Sequence, residues 1–373
     1  MNIKMKYRSG RLGIAEGLAL AFVITFPPIF LSTATKSVQA AGSIGWVPGT
    51  LAALSGGTLL YLYTLVLEHN PGDLLTVTQS ILGKPASWIL GLFYFTVFFV
   101  LASLWTRQFA ENTLLTALPF AAFDNVILWY SLGSALLIYA GIEALCRSAY
   151  VIMPFSITAM LLVFALLLPM YKPMYLFPWQ GKGLENLARP FINLLGATAP
   201  LSLLLFLAPA FQTIKTVRSA LLFGFGGSTL MRVSAVAVFI MVFGSFVGAE
   251  KMLPFYEMAR LIYLNRYIQR LESIFILLWV ITGIIAIAVC LYGSLYILAK
   301  LFKLPTIRPL IPAASLVMMQ LAMLPSDTNA VLALESNFFG LFCAPGVVVF
   351  PVTLLVVFLL KGGRKVCRNC ESN

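Results

Sequence analysis

Charge is scarce in this chain. Of 373 residues only 10% are Asp, Glu, Lys or Arg, while 60% are hydrophobic; a soluble domain carries about a quarter charged residues. A chain so poor in charge cannot cover a water-facing surface, which excludes a soluble globular protein and places it in a bilayer. Acid is scarcer than base: 13 Asp and Glu stand against 25 Lys and Arg, a net charge of +12. The basic residues lie in short loops and tails and share no face, which argues against nucleic acid as a partner. There is one histidine, His69, beside Pro71 in an expected cytoplasmic loop, and it reads as merely exposed. One histidine and five dispersed cysteines (Cys146, Cys290, Cys343, Cys367 and Cys370) offer no metal site, nucleophilic triad or cofactor cradle, so no enzyme chemistry is expected. Only CRNC at 367–370 has redox- or metal-like spacing, and it reads as two unpaired thiols in a cytoplasmic tail.

Long apolar runs are what the chain has in abundance. A window of about 20 residues gives ten expected spans, near 12–35, 46–67, 86–106, 122–142, 149–170, 190–212, 219–246, 271–298, 309–325 and 335–360. They leave room for one transmembrane domain over 1–373, with short tails at 1–11 and 361–373. The first run follows a basic N-terminus and precedes VQAA at 38–41, but it is too long for a cleaved signal and reads as a retained span. Fifteen Lys and Arg fall on the side of the termini and eight on the other, with Lys36 and Arg232 at the edge of or inside spans. That bias predicts both termini in the cytoplasm. Residues 171–189, rich in Pro, Gly and aromatics, are expected on the outer surface. Residues 254–270 predict an amphipathic helix along the outer interface, with Phe255, Met258, Leu261 and Ile262 on one face.

Two spans carry signals that a helix does not tolerate. In the first, TFPPIF at 25–30 sets Pro27 beside Pro28 near mid-span, with Thr25 before and Ser32 and Thr33 after. Proline removes a backbone donor and clashes one turn back. At membrane depth such backbone survives only when buried in protein or lining a cavity. A plain proline kink without a ligand is the simpler reading of one such site. The sixth span repeats the feature in GATAP, Gly196 to Pro200, with Pro209 further on. Spans one and six are five apart, as in transporters built from two inverted five-helix repeats, whose discontinuous helices hold the ligand between them. Half-helix ends offer N–H groups to a carboxylate and carbonyls to an ammonium, and no acidic residue lies at either break. A small amino acid, or a neutral polar molecule, is the expected ligand.

Arg232 lies near the centre of the seventh span, where an unpaired arginine costs about 2.5–3.5 kcal/mol or more. It is expected to face the interior, a watery crevice or a partner, either internally paired or snorkelling, or serving gating or subunit contact. Glu16 and Lys36 read as interfacial, while Arg107–Glu111 and Glu143–Arg147 have the spacing of local pairs. No Asp or Glu is placed mid-span, which weakens proton coupling but leaves sodium to Thr25, Ser32 and Thr33.

The stretch LPFYEMARLIYLNRYIQRLESIFILLWVITG, 253–283, resembles the B subunits of spore germination receptors, the spore permease family of the amino acid–polyamine–organocation superfamily. GIAEGLALAF in the first span and Gly45-Trp46 opening the second are similar too. The resemblance implies an all-α, leucine-transporter-like fold of ten spans in the spore inner membrane. It also implies a receptor completed by an A subunit with large soluble domains and a lipoprotein C subunit. By that likeness a germinant would sit among spans one, three, six and eight, at Thr25, Phe26, Pro27, Pro28, Tyr94, Phe98, Gly196, Thr198, Ser202 and Thr282. Arg270, Glu272 and Trp279 match the family's arginine, glutamate and tryptophan at the start of span eight, the first two with Arg232 being candidates for gating or subunit contact. Where relatives often carry glycine at the first break this chain has Phe26-Pro27-Pro28, exchanging close backbone approach for a lost donor. Three functions follow: a germinant-sensing subunit, a secondary amino acid transporter coupled to Na⁺ or H⁺, or a scaffold that only seats its A subunit.

Overall fold

The computed structural model describes residues 12–70, 72–263 and 272–361, and those residues form helices without a β-strand. The helices are α1 (Ile14–Thr25), α2 (Thr33–Ala41), α3 (Val47–His69), α4 (Leu74–Leu82), α5 (Lys84–Thr116), α6 (Phe123–Ala140), α7 (Ile142–Leu166) and α8 (Ala188–Gly196). There follow α9 (Leu203–Phe206), α10 (Ile214–Ser219), α11 (Gly226–Gly248), α12 (Pro254–Arg260), α13 (Glu272–Leu301), α14 (Leu310–Met323), α15 (Thr328–Asn337) and α16 (Ala344–Leu360).

Among the described residues, eight helical segments are long and apolar enough to cross a bilayer, and the bent pair α1–α2, taken as one span, makes a ninth. Each expected span has a helical counterpart, but that of span nine, α14, has only 14 residues. At 1.5 Å per residue it rises about 21 Å, short of a ~30 Å hydrocarbon core. Length and composition therefore do not establish the count of ten.

Where boundaries differ from the expected ones, the neighbours explain it. The third span does not stop at 106: α5 runs 33 residues, to Thr116. Its polar last turns are tolerated because they face protein, with Arg107, Gln108, Glu111 and Asn112 all buried. Between α6 and α7 only Gly141 intervenes, at φ +100°, so Glu143 and Arg147 belong to α7 and pair at 3.7 Å. Of the outer helix expected over 254–270, α12 supplies the first seven residues, and 264–270 lie outside the described residues. Phe255, Met258 and Ile262 are buried, whereas Leu261 turns outward at 38% exposure. Glu257 reaches Lys251 at 3.7 Å instead.

Burial separates the centre from the lipid face. From Ile285 to Ile297 every residue of α13 is buried, the mark of an interior helix apolar all round. It packs along α5, α6 and α7. Those outer helices expose apolar side chains such as Leu128, Trp129, Leu136, Tyr150 and Phe155, the surface that hydrocarbon wets. One end of the bundle is drawn shut by a bridge between the start of span one and the end of span six. Leu12 N–H donates to the Ala210 carbonyl (2.9 Å) and Gln212 N–H to that of Leu12 (3.2 Å). Close by, α1 lies on the π-helical turn Ala220–Phe225, where a Cβ on Gly224 would sit 2.5 Å from the Leu18 carbonyl.

Candidate functional site

Two prolines undo the first span. In a continuous helix residues 27 and 28 would donate to the carbonyls of Val23 and Ile24; as prolines they cannot. The chain tightens into a 3₁₀ turn, Pro27–Phe30, with Ile29 N–H on the Phe26 carbonyl at 3.0 Å. Helix resumes at Thr33, bent by 64°. Hydroxyls brace the break: Thr33 Oγ1 donates to the Pro28 carbonyl (3.1 Å), and Thr25 Oγ1 bonds Ser228 Oγ on α11 (2.9 Å).

The sixth span is interrupted differently. After Gly196 the backbone passes into a 3₁₀ turn, Ala199–Ser202, with Thr198 Oγ1 donating to the Leu195 carbonyl at 2.7 Å. It makes no bend comparable to the first, and helix returns at α9. Gly196 serves close packing there. A Cβ would stand 2.1 Å from the Phe339 carbonyl, in the π-helical turn Phe338–Cys343 of the last span.

Above the first break opens a cavity of about 590 Å³, at the end of the bundle away from Leu12 and Phe211. Its wall contains both sides of the break, Ile24, Thr25 and Pro28 with Ser32 and Thr33, together with Ala197 beside the second interruption. Of the residues expected at a ligand site, Thr25 and Pro28 line this cavity. Arg232 lines it too and reaches an adjoining void of about 40 Å³ that also touches Thr198. Phe26 turns away and stacks on Phe22 at 4.6 Å, and Pro27 is buried. Tyr94 and Phe98 pack around Phe206, near buried Ser202. Thr282 is buried and donates to its own helix, at the Leu278 carbonyl (2.8 Å). Glu272 is buried at the start of α13, and Arg270 lies outside the described residues.

The cavity brings in charged and amide side chains that sequence reasoning did not assign. Lys36 reaches inward and binds Glu335 at 3.0 Å and the Leu332 carbonyl at 3.2 Å. Gln108 Nε2 donates to the other Glu335 oxygen at 3.1 Å. On α5, Arg107 pairs with Oε1 of Glu111 and stacks over the Phe123 ring at 4.3 Å. Glu111 Oε2 is buried with no hydrogen-bond partner among the described residues. One signal was available: Trp105, Gln108, Asn112 and Leu115, all cavity-lining, recur at three- and four-residue spacing, a stripe on one helix face. Ending the span at its first charge hid that stripe. Such a wall, apolar in part and set with hydroxyl, amide and charged side chains, can hold a small polar ligand by direct hydrogen bonds.

Known proteins resemble the chain in sequence and in fold. A family model described as "Spore germination protein", the spore permease family, matches residues 16–331. Spore germination protein KB of Bacillus subtilis (strain 168) is 24% identical over 272 residues, 70% of this chain and 72% of that protein. Spore germination protein A2 of the same organism is 25% identical over 326 residues, covering 83% and 86%. Among solved structures, Mhp1, a nucleobase-cation-symport-1 family transporter in a closed conformation with bromovinylhydantoin bound, superposes with TM-score 0.72 at 12% identity, over 97% of this chain and 82% of that one. A Na⁺-coupled sialic acid symporter in a substrate-bound outward-open state gives 0.65 at 12% identity, covering 96% and 86%. MhsT in complex with L-phenylalanine gives 0.63 at 13% identity, covering 92% and 97%. The architecture is thus the leucine-transporter-like one, and the chain belongs to the spore permease family of spore germination proteins.

Proposed function

We propose that this chain is the germinant-sensing B subunit of a spore germination receptor. It binds a small molecule, an amino acid by preference, in the cavity over the unwound turn of the first span. The cavity wall supports this most directly: Thr25 and Pro28 on one side of the break and Ser32 and Thr33 on the other face the same space. A ligand touching both half-helices senses their relative angle, so binding biases a bent element with two packings. In this reading the cavity faces outward, both termini are cytoplasmic, and an A subunit and a lipoprotein C subunit receive the change in the spore inner membrane.

Ala197→Phe tests it by filling the space between the two interruptions. The germinant concentration for half-maximal germination should rise at least about tenfold, a loss of ~1.4 kcal/mol, while the subunit's abundance in spore membranes stays unchanged. An unaltered response at normal abundance would move the ligand elsewhere.

One observation favours a second reading, coupled transport. Glu111 and Glu335 place carboxylates in the cavity, the groups that proton coupling needs. Proteoliposomes that accumulate labelled amino acid against its gradient, and only with an imposed proton or sodium gradient, would establish that reading.

A further inference from the structure

Seven charged side chains line the large cavity: Lys36, Glu111, Arg189, Arg232, Glu250, Lys251 and Glu335. Lys36 is paired with Glu335, Lys251 with Glu257, and Glu111 through one oxygen with Arg107. Arg189 and Glu250 are exposed at the mouth. Arg232 is different. It lies mid-span on α11, partly buried, with no carboxylate or carbonyl partner among the described residues. Its position relative to the break is set by Ser228, one turn earlier on α11 and bonded to Thr25 at 2.9 Å. The guanidinium therefore stands on the same helix face as the contact that fastens α11 to the unwound turn.

We infer that Arg232 is the carboxylate-recognising residue of this cavity, and that the free oxygen of Glu111 receives the ligand's ammonium group. This rests on reading the cavity as the ligand site. A guanidinium offers parallel donors that match a carboxylate two to two. In a low-dielectric span it gains most from a partner that arrives with the ligand, because none stands beside it beforehand. Glu111 Oε2, buried and unpartnered, is the complementary vacancy for an N–H donor. The two together select a zwitterion. A phosphate-like dianion would meet Glu111 and Glu335 across the same space, and an amine without a carboxylate would leave Arg232 unsatisfied.

The test uses the full-length protein in lipid nanodiscs, with the standard L-amino acids as probes and thermal unfolding as the readout. At least one amino acid should raise the melting temperature, and its methyl ester and N-acetyl derivative should not. Arg232→Gln should weaken that amino acid about tenfold to a hundredfold, with Arg232→Lys in between, as expected for a lost charge-assisted pair. Glu111→Gln should weaken it less while narrowing the gap between the amino acid and its N-acetyl form. Unchanged affinity in Arg232→Gln, or a methyl ester that binds as well as the parent, overturns the inference and leaves the cavity reading intact. Where Arg232→Gln does not fold, the ester and Arg232→Lys decide alone. If a neutral probe such as a nucleoside or a hexose stabilises the protein and no amino acid does, this inference fails and the cavity reading stands. If no probe of any class shifts the transition, both fail.

Discussion

At the scale of single residues, the cavity rim is held by three side chains from three spans. Lys36 on α2, Glu335 on α15 and Gln108 on α5 meet at 3.0 and 3.1 Å. Lys36 keeps 32% of its side chain exposed and Glu335 11%, so solvent screens the pair and its coupling is on the order of 1 kcal/mol. Small as that is, it joins the α2 half of the broken span to the last span. In a double-mutant cycle, Glu335→Gln and Lys36→Met should each lower the melting temperature by a few degrees, with the double variant little worse than either. Strict additivity would show that the contact carries no energy. None of this trio stands at a proline or a glycine, so reading backbone breakers in the sequence could not find it. The helical stripe on α5 could have.

At the scale of elements, the first span owes its bend to two adjacent prolines, and hydroxyls on either side brace it. Changing Pro27 and Pro28 together to alanine restores two donors and removes a helix penalty of roughly 3 kcal/mol each. The span should straighten, and germinant response should fall without loss of the protein. Reduced labelling by a membrane-impermeant maleimide of a cysteine placed at Ser32 would report the change. Unchanged labelling would show that packing from α11, and not proline, sets the bend. Glycines separate just as clearly. Gly196→Ala puts a Cβ against the Phe339 backbone, which cannot yield as a side-chain tip can, so a loss of about 1–3 kcal/mol or more is expected. Gly226→Ala and Gly227→Ala meet nothing within 4 Å and should be neutral, or stabilising by up to about 1 kcal/mol. Melting temperatures of the three purified variants check the ranking. Gly196 was legible as a loosened helix but not as a contact, because its partner lies far along the chain, in the last span.

For the whole molecule, access from one side is the main expectation. The Leu12–Phe211 bridge and the packing of α1 on Gly224 draw together the end near the N-terminus, while the cavity lies at the other. Single cysteines at Ser32 or Ala333, both cavity-lining, should react with an impermeant maleimide added outside protoplasts. Cysteines at Phe98 or Thr282, both buried, should not. Native Cys146, Cys290 and Cys343 are buried and should stay silent. Labelling of position 32 only after permeabilisation would reverse the proposed orientation.

What the sequence determined by itself is the class, the family and the place of the first break. The class rests on composition and on apolar runs of membrane length, the family on the resemblance of the 253–283 stretch, and the break on proline's missing N–H, none of which depends on the neighbours. The tertiary structure alone decided which side chains share the cavity. Glu335 reaches Lys36 across 299 positions and Thr25 reaches Ser228 across 203. No local periodicity encodes such a meeting. It also decided where a span ends: α5 carries its charged last turns because their partners shield them, and a hydropathy window has no knowledge of partners. Likewise only packing shows that the two interruptions differ, the first bending by 64° and the second continuing without a comparable bend, since both are written in the same helix-breaking residues.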